Sequence, residues 1–163
     1  VQNGIADLSH FPPGVLRWEG LLRQTASDQG VSVIDLATIM TIESGGVMTI
    51  PGGEGEQCAM QIMFDFHGKR IPEGYPKVPE SLLIPEVCVW VAADIIADYQ
   101  ATYPHNPTIW FAAYNGGPKA AQWFNGEISE EDYIAWINAH NGDGWEKAGI
   151  VKNYVSLAMN WRN

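Results

Sequence analysis

Residues 38–50 read TIMTIESGGVMTI, an apolar run that carries one carboxylate, Glu43, immediately before a serine and two glycines. Leu36, Ile39 and Met40 precede this glutamate at helical spacing, so Glu43 continues the apolar face that they form. A helix ending at the glycines would direct the carboxylate toward the interior. Because burial disfavours the charged form, it raises the pKa of a carboxyl group, which suits a general acid. The alternative is a helix-end side chain that bends past the glycines into solvent.

The composition limits the classes of function. With 163 residues, 46% of them hydrophobic, the chain is expected to form a single domain over residues 1–163, with residues 1–12 as an N-terminal extension. A net charge of −10 opposes binding to nucleic acid and to anionic lipid headgroups. No apolar run approaches the roughly 20 residues that span a bilayer, so no membrane insertion is expected. The start VQNGIADLSH does not have the pattern of an export signal.

Prolines at helix starts and glycines at helix ends indicate a mainly α chain. Ser32 with Asp35, and Ser129 with Asp132, have the spacing of a capping box. The segment PGGEGEQ at 51–57 is too rich in glycine and proline for a regular element, and at most a small β element is expected, from 47–50 and 60–64. The predicted helices are residues 13–29, 33–44, 85–102, 107–114, 118–124, 130–139 and 145–161.

Three further motifs place polar side chains among apolar ones. CAMQIM at 58–63 contains Gln61, WFAAYNGGPKAA at 110–121 contains Tyr114 and Asn115 before a Gly-Gly-Pro turn, and NYV in the last helix contains Tyr154. Taken singly, each has a structural explanation as a satisfied buried amide, a helix cap or a core aromatic.

In this order, IESGG, AMQIM, AAYNGGP and NYV resemble the lysozyme-like lytic transglycosylase family, the group of the soluble lytic transglycosylases and goose-type lysozymes. The likeness runs from about residue 13 to 161. It implies a lysozyme-like, two-lobed helical fold whose substrate cleft binds the glycan strands of peptidoglycan. It further implies an extracytoplasmic place of action, whether periplasmic, secreted or phage-delivered, and a reaction without metal or cofactor.

The resemblance also implies roles for the matched residues. Glu43 would be the single catalytic acid, cutting between N-acetylmuramic acid and N-acetylglucosamine and leaving anhydro-muramic ends. Other matched residues would bind the sugar, shape the cleft or orient the glutamate, and these are Ser44, Gln61, Tyr114, Asn115 and Tyr154.

A second carboxylate would change the reaction, because glycosidases that activate water use a pair of them. Glu54, Glu56 and Asp65 follow the catalytic motif and are the candidates for a water-using muramidase of the goose-type lysozyme kind. A non-catalytic glycan-binding or scaffold module that keeps the fold is the alternative from a different class.

The two cysteines, Cys58 and Cys88, have no spacing typical of a zinc site, and from the residues alone they are either bonded or two buried thiols. Both occupy positions where the resembling family has other residues, which favours a disulfide.

Overall fold

The computed structural model describes residues 6–49, 55–140 and 142–163, which form eight α-helices and one antiparallel pair of short strands. The helices are α1 Pro13–Leu16, α2 Glu19–Gln29, α3 Val33–Ser44, α4 Phe64–His67, α5 Pro85–Thr102, α6 Pro107–Phe124, α7 Glu130–Ala139 and α8 Gly144–Arg162. The strands are β1 Glu56–Gln57 and β2 Ile62–Met63, and 3-10 turns cover Gly68–Arg70 and Pro79–Leu83. The prediction of a mainly α fold with at most a small β element is confirmed.

The chain divides into two compact units, Val1–Ala97 and Asp98–Asn163. In the first unit α3 packs against α2 and α1, and its apolar face lies fully inside the core. Leu36, Ile39 and Met40 each have no exposed surface. Burial of side chains of this size contributes roughly 1.5 to 3 kcal/mol each, so packing fixes the position of α3 up to its last turn.

The sequence predicted one helix over residues 13–29, and that prediction was wrong, because two helices, α1 and α2, meet at Arg17 and Trp18. Trp18 leaves the helical conformation with φ −99° and ψ 6°, and its indole Nε1 donates a 2.8 Å hydrogen bond to the Gly46 carbonyl, 28 residues further on. A long-range contact thus interrupts a segment whose local signals favour a continuous helix.

The predicted strand pairing was also wrong in one partner. Residues 62–63 do form a strand, but they pair with 56–57 in the register Glu56–Met63 and Gln57–Ile62, within a segment expected to be irregular. Residues 47–49 form no strand, and residue 50 lies outside the described residues. The four-residue turn at 58–61 joins the two strands, so the pairing is between segments that are close together in sequence.

In the second unit α6, α7 and α8 pack on one another. A Cβ on Gly116 of α6 would fall 2.8 Å from a methyl of Val151 on α8, so the glycine permits this close helix approach. Gly117 has φ 75° and ψ −170°, which kinks α6 between the two predicted helices. On α7 the Tyr133 ring is buried and stacks on Trp123, with ring centroids 5.0 Å apart.

One of the two predicted capping boxes forms. The Ser129 hydroxyl accepts from the Asp132 amide, and the Asp132 carboxylate accepts from the Ser129 amide, so the start of α7 is capped as predicted. At α3, Ser32 has an extended N-cap backbone, but its hydroxyl makes no capping hydrogen bond within the described residues. Asp35 is buried with 1% exposed surface, whereas Asp132 is exposed.

Candidate active site

Glu43 lies in the last turn of α3 and is half-buried, at the point where the fully buried part of that helix ends. Gly45 then adopts the left-handed conformation, with φ 64°, and its amide donates to the carbonyls of Met40 and Thr41. Glycine reaches this conformation without the steric penalty of a Cβ, so the helix ends at Ser44 and Gly45 caps it. The carboxylate is therefore carried on a rigid helix end that is neither in the core nor fully in solvent.

The second glycine of the motif, Gly46, packs closely against the backbone of α1. A Cβ on Gly46 would collide with the backbone of Gly14 in α1, and a Cβ on Gly14 would collide with the Gly45 carbonyl. Together with the Trp18 indole bond to Gly46, this contact clamps the end of α3 against α1. The sequence predicts these glycines as a helix stop alone, and their packing role is visible only in the structure.

Ser44 ties α3 to the turn at 58–61. Its hydroxyl donates a 2.8 Å hydrogen bond to the Ala59 carbonyl and accepts one of 3.1 Å from the Gly46 amide. These bonds fix the position of the residue next to Glu43 relative to the turn that contains Gln61. The hydroxyl thus has a scaffold role in this structure, and its contact with sugar stays a prediction.

The turn at 58–61 holds Gln61 in an uncommon backbone conformation. Gln61 has φ 50° and Cys58 has φ 63°, both in the left-handed region, which costs non-glycine residues on the order of 1 kcal/mol or more each. The Cys58 carbonyl accepts from the Gln61 amide at 3.1 Å and from the Gln61 side-chain Nε2 at 2.8 Å. Strained backbone of this kind persists where the surroundings over-determine it, as at ligand-binding sites.

A disulfide between Cys58 and Cys88 supplies much of that constraint. It joins the first residue of the turn to α5 across 30 positions of sequence, with the two Cα atoms 6.3 Å apart and both residues fully buried. The turn is thereby fixed from two sides, by the disulfide to α5 and by the Ser44 hydroxyl to α3.

The candidate second carboxylates differ in their surroundings. Glu56 is half-buried on β1, in the same hairpin as Gln61, whereas Asp65 is exposed on α4. Glu54 lies outside the described residues. Among the described residues, no group of three or more His, Cys, Asp or Glu side chains is arranged to hold a metal ion.

A half-buried imidazole, that of His67, lies just beyond the hairpin. His67 ends α4, and its Nδ1 is buried without a hydrogen-bond partner among the described residues. Burial, with smaller contributions from the charges of Arg70 and Lys69, lowers the pKa of His67 to about 4. Arg70 itself forms a 2.6 Å ion pair with Asp94 on α5. His67 is thus neutral near pH 7 and packs as an uncharged ring.

The remaining predicted site residues belong to the second unit. Tyr114 is half-buried and Asn115 exposed on α6, just before the kink at Gly117, and Tyr154 is 5% exposed on α8, which packs against α6. Glu43, Ser44 and Gln61 belong to the first unit. Within that unit the structure links the α3 end to the Gln61 turn through Ser44.

Comparison with known proteins identifies the class. The Transglycosylase SLT domain matches residues 20–136, which is more than half of the chain, and the chain belongs to that family. The predicted relationship to the lytic transglycosylases is therefore confirmed.

A solved structure shares the fold. The X-ray structure of an inactive mutant of the lytic transglycosylase Slt from Pseudomonas aeruginosa, with a glutamate replaced by glutamine, matches with a TM-score of 0.67 and 21% sequence identity. The match covers 96% of this chain and 24% of that protein, so the chain spans about a quarter of its length. A comparison with curated proteins found no match. No helix in the described part of the chain is both long and apolar enough to cross a membrane.

Proposed function

We propose that this chain is a peptidoglycan-cleaving lytic transglycosylase in which Glu43 is the single catalytic acid and base. The observation that carries the proposal is the position of Glu43, half-buried at the end of a helix whose preceding apolar face is fully buried, in a chain of the SLT family. The inactive Slt mutant, in which a glutamate is replaced by glutamine, supports a catalytic glutamate.

The proposed reaction needs one group that gives and then takes a proton. The Glu43 carboxyl donates its proton to the glycosidic oxygen as the bond from C1 of N-acetylmuramic acid to that oxygen breaks. The hydroxymethyl oxygen of the same muramic acid then bonds to C1, and its proton passes to the Glu43 carboxylate. The products are a free N-acetylglucosamine hydroxyl and an anhydro-muramic end, and Glu43 is again protonated. Water is neither consumed nor required.

The scaffold around Glu43 supports this use. A catalytic group must be held to within a fraction of an ångström, and groups on rigid elements meet that requirement better than groups on free loops. α3 is fixed by its buried face, by the Gly14–Gly46 contact and by the Ser44 bond to Ala59. We assign Gln61 a hydrogen-bonding role near the reacting sugar, since its turn is held in one conformation by the disulfide.

The other roles rest on the motifs. We assign Tyr114 to orienting Glu43, Tyr154 to a second contact with it, and Asn115 to shaping the cleft. These roles rest on the resemblance of AAYNGGP and NYV to motifs of the family; AAYNGGP lies within the matched residues 20–136, and NYV lies beyond them. A tyrosine hydroxyl can fix a carboxyl rotamer without adding charge. We place the action of the enzyme outside the cytoplasm, where peptidoglycan lies.

A water-using muramidase is the second candidate, and the half-buried Glu56 in the Gln61 hairpin is the observation that favours it. In that reaction Glu56 would activate a water molecule and the product would carry a reducing end. The two outcomes differ by one water in the mass of the released fragment.

Product analysis tests the proposal. Purified peptidoglycan is digested in water enriched in ¹⁸O, and the soluble fragments are analysed by mass spectrometry. We expect anhydro-muramic ends without ¹⁸O. Reducing ends that contain ¹⁸O would replace the transglycosylase by the muramidase, and a Glu56→Gln variant would then be expected to lose activity. A folded protein that binds peptidoglycan but releases no fragments would point to a non-catalytic module.

A further inference from the structure

A cavity in the second unit involves none of the residues assigned to the reaction. It is an open surface cavity of about 590 Å³, and four of its lining residues, Thr102, Pro104, Asn125 and Glu127, are exposed. It lies between the end of α5, the start of α6 and the segment that follows α6. Its lining residues are Thr102, Tyr103, Pro104, Asn106, Ile109 and Asn125, with Glu127.

The aromatic wall of the cavity is held in place. Tyr103 packs against Ile109 and the adjoining apolar cluster of α6, and its backbone carbonyl accepts a 2.8 Å hydrogen bond from the Trp110 indole. The ring is half-buried, so part of its apolar surface remains available to a ligand. Burial, together with the nearby Glu127 carboxylate, raises the pKa of the Tyr103 phenol, which therefore keeps its proton near neutral pH.

The polar wall of the cavity centres on one exposed carboxylate, that of Glu127. Glu127 Oε1 accepts from Asn125 Nδ2 at 2.7 Å and from the Tyr103 hydroxyl at 3.4 Å, while Oε2 has no hydrogen-bond partner among the described residues. Asn106 faces the same cavity, and its Oδ1 accepts from the Thr108 hydroxyl at 2.8 Å. The site thus offers amide donors and a carboxylate acceptor beside an aromatic ring.

This chemistry selects a neutral ligand that is rich in hydroxyl groups. The lining contains no Lys, Arg or His to pair with an anion, and Glu127 is its one carboxylate, whereas protein sites for Ca²⁺ supply several oxygen ligands. A sugar ring has an apolar face that can lie on a tyrosine and equatorial hydroxyls that both donate and accept hydrogen bonds.

From these observations we infer that the cavity lined by Tyr103, Asn125 and Glu127 is a binding site for a neutral sugar unit, formed by none of the residues assigned to the reaction. Its natural occupant would be a unit of the peptidoglycan glycan strand, an identification that rests on the proposed function. A second point of attachment to the glycan strand would raise the apparent affinity for long chains rather than for short ones.

Binding can be measured separately from cleavage. The Glu43→Gln variant, labelled with ¹⁵N, is titrated with a tetramer of N-acetylglucosamine, and the side-chain amides of Asn125 and Asn106 are followed by NMR. We expect saturable shifts of both amides. Parallel titrations with CaCl₂ and with a neutral dipeptide are expected to leave these signals unchanged.

Variants link the shifts to the cavity. Asn125→Ala and Glu127→Gln are expected to raise the Kd measured at Asn106 at least tenfold. The matched changes Asn160→Ala and Glu131→Gln, at exposed positions outside the cavity, should change it less than twofold. Thermal unfolding of each variant verifies that the fold is kept.

Absence of shifts at Asn106 and Asn125 with the sugar, equal affinity in the cavity variants, or shifts with calcium or dipeptide instead would overturn the inference. These readouts are independent of cleavage by the wild-type protein. An inactive wild-type protein that still shows the sugar shifts would therefore refute the proposed function and leave the sugar site standing.

Discussion

Removal of the Cys58–Cys88 disulfide is expected to destabilise the first unit and loosen the turn at 58–61. The bond closes a loop with a sequence separation of 30. The chain-entropy relation gives roughly 3 to 4 kcal/mol for a loop of this length. For a protein of about this size, 1 kcal/mol corresponds to roughly 2 to 4 °C in Tm, so the double variant Cys58→Ala, Cys88→Ala should unfold about 6 to 16 °C lower.

The effect should extend to the candidate site. Cys58 and Gln61 are held with positive φ, at a cost that the disulfide and the Ser44 bond to Ala59 offset. Without the disulfide the turn can relax toward ordinary conformations, which would displace Gln61 and weaken the bond that fixes the end of α3. We therefore expect the rate of peptidoglycan cleavage to fall at temperatures at which the variant is still folded.

The assay compares the wild-type protein and the double variant by urea and thermal unfolding, followed by far-UV circular dichroism, each with and without a thiol reductant. Reductant should bring the wild-type protein to the stability of the double variant and leave the variant itself unchanged. A difference below about 1 kcal/mol between the free energies of unfolding of the two proteins would refute the assigned role of the disulfide. An equal effect of reductant on both proteins would refute it as well.

Three further changes test the scaffold. Gly46→Ala introduces a Cβ at φ 91° against the backbone of α1 and should lower the free energy of unfolding in urea by at least about 2 kcal/mol. The control Gly20→Ala, at an open position in α2, should leave this free energy unchanged or raise it by up to about 1 kcal/mol. Equal effects of the two changes would contradict the close contact between Gly46 and α1. Ser44→Ala removes the hydrogen bond to the Ala59 carbonyl and should lower the free energy of unfolding by about 1 to 2 kcal/mol. An unchanged stability together with a reduced affinity for glycan would show that the hydroxyl binds substrate instead. His67 has a folded pKa of about 4, below its unfolded value, so protonation favours the unfolded state and stability is lost as pH falls from about 6.5 to 4. Allowing for the partial exposure of the ring, a His67→Gln variant should lose about 1 to 2 kcal/mol less than the wild-type protein over that range, and parallel pH profiles would contradict the assignment.

The elements that the sequence predicted correctly are those with strong local signals. α5 begins at Pro85 and ends at Thr102 as predicted, and α7 begins at a capping box that the spacing of Ser129 and Asp132 indicates. The break between α1 and α2 could not be predicted, because it depends on the Trp18 bond to Gly46, which is far away in sequence.

The candidate site also combines features that local sequence predicts with features that depend on contacts between distant residues. The apolar face of α3 and its glycine stop were visible in the spacing of residues, and both are present. The hairpin was not predicted, because the glycine-rich PGGEGEQ indicated an irregular loop. The left-handed conformation of Gln61 and the bond from Ser44 to Ala59 both depend on that hairpin, so they could not be predicted either. The Gly14–Gly46 contact could not be predicted from local sequence, because Gly46 is explained by the end of α3 and Gly14 lies in α1, far away in sequence.

The most direct test of the central claim is the rate at which Glu43→Gln releases soluble fragments from purified peptidoglycan. The change keeps the size of the side chain and removes the proton that the reaction needs. We expect the rate to fall at least a thousandfold, with thermal unfolding and glycan binding close to those of the wild-type protein. A variant that retains a rate within tenfold of the wild type would show that another residue supplies the proton and would contradict the account.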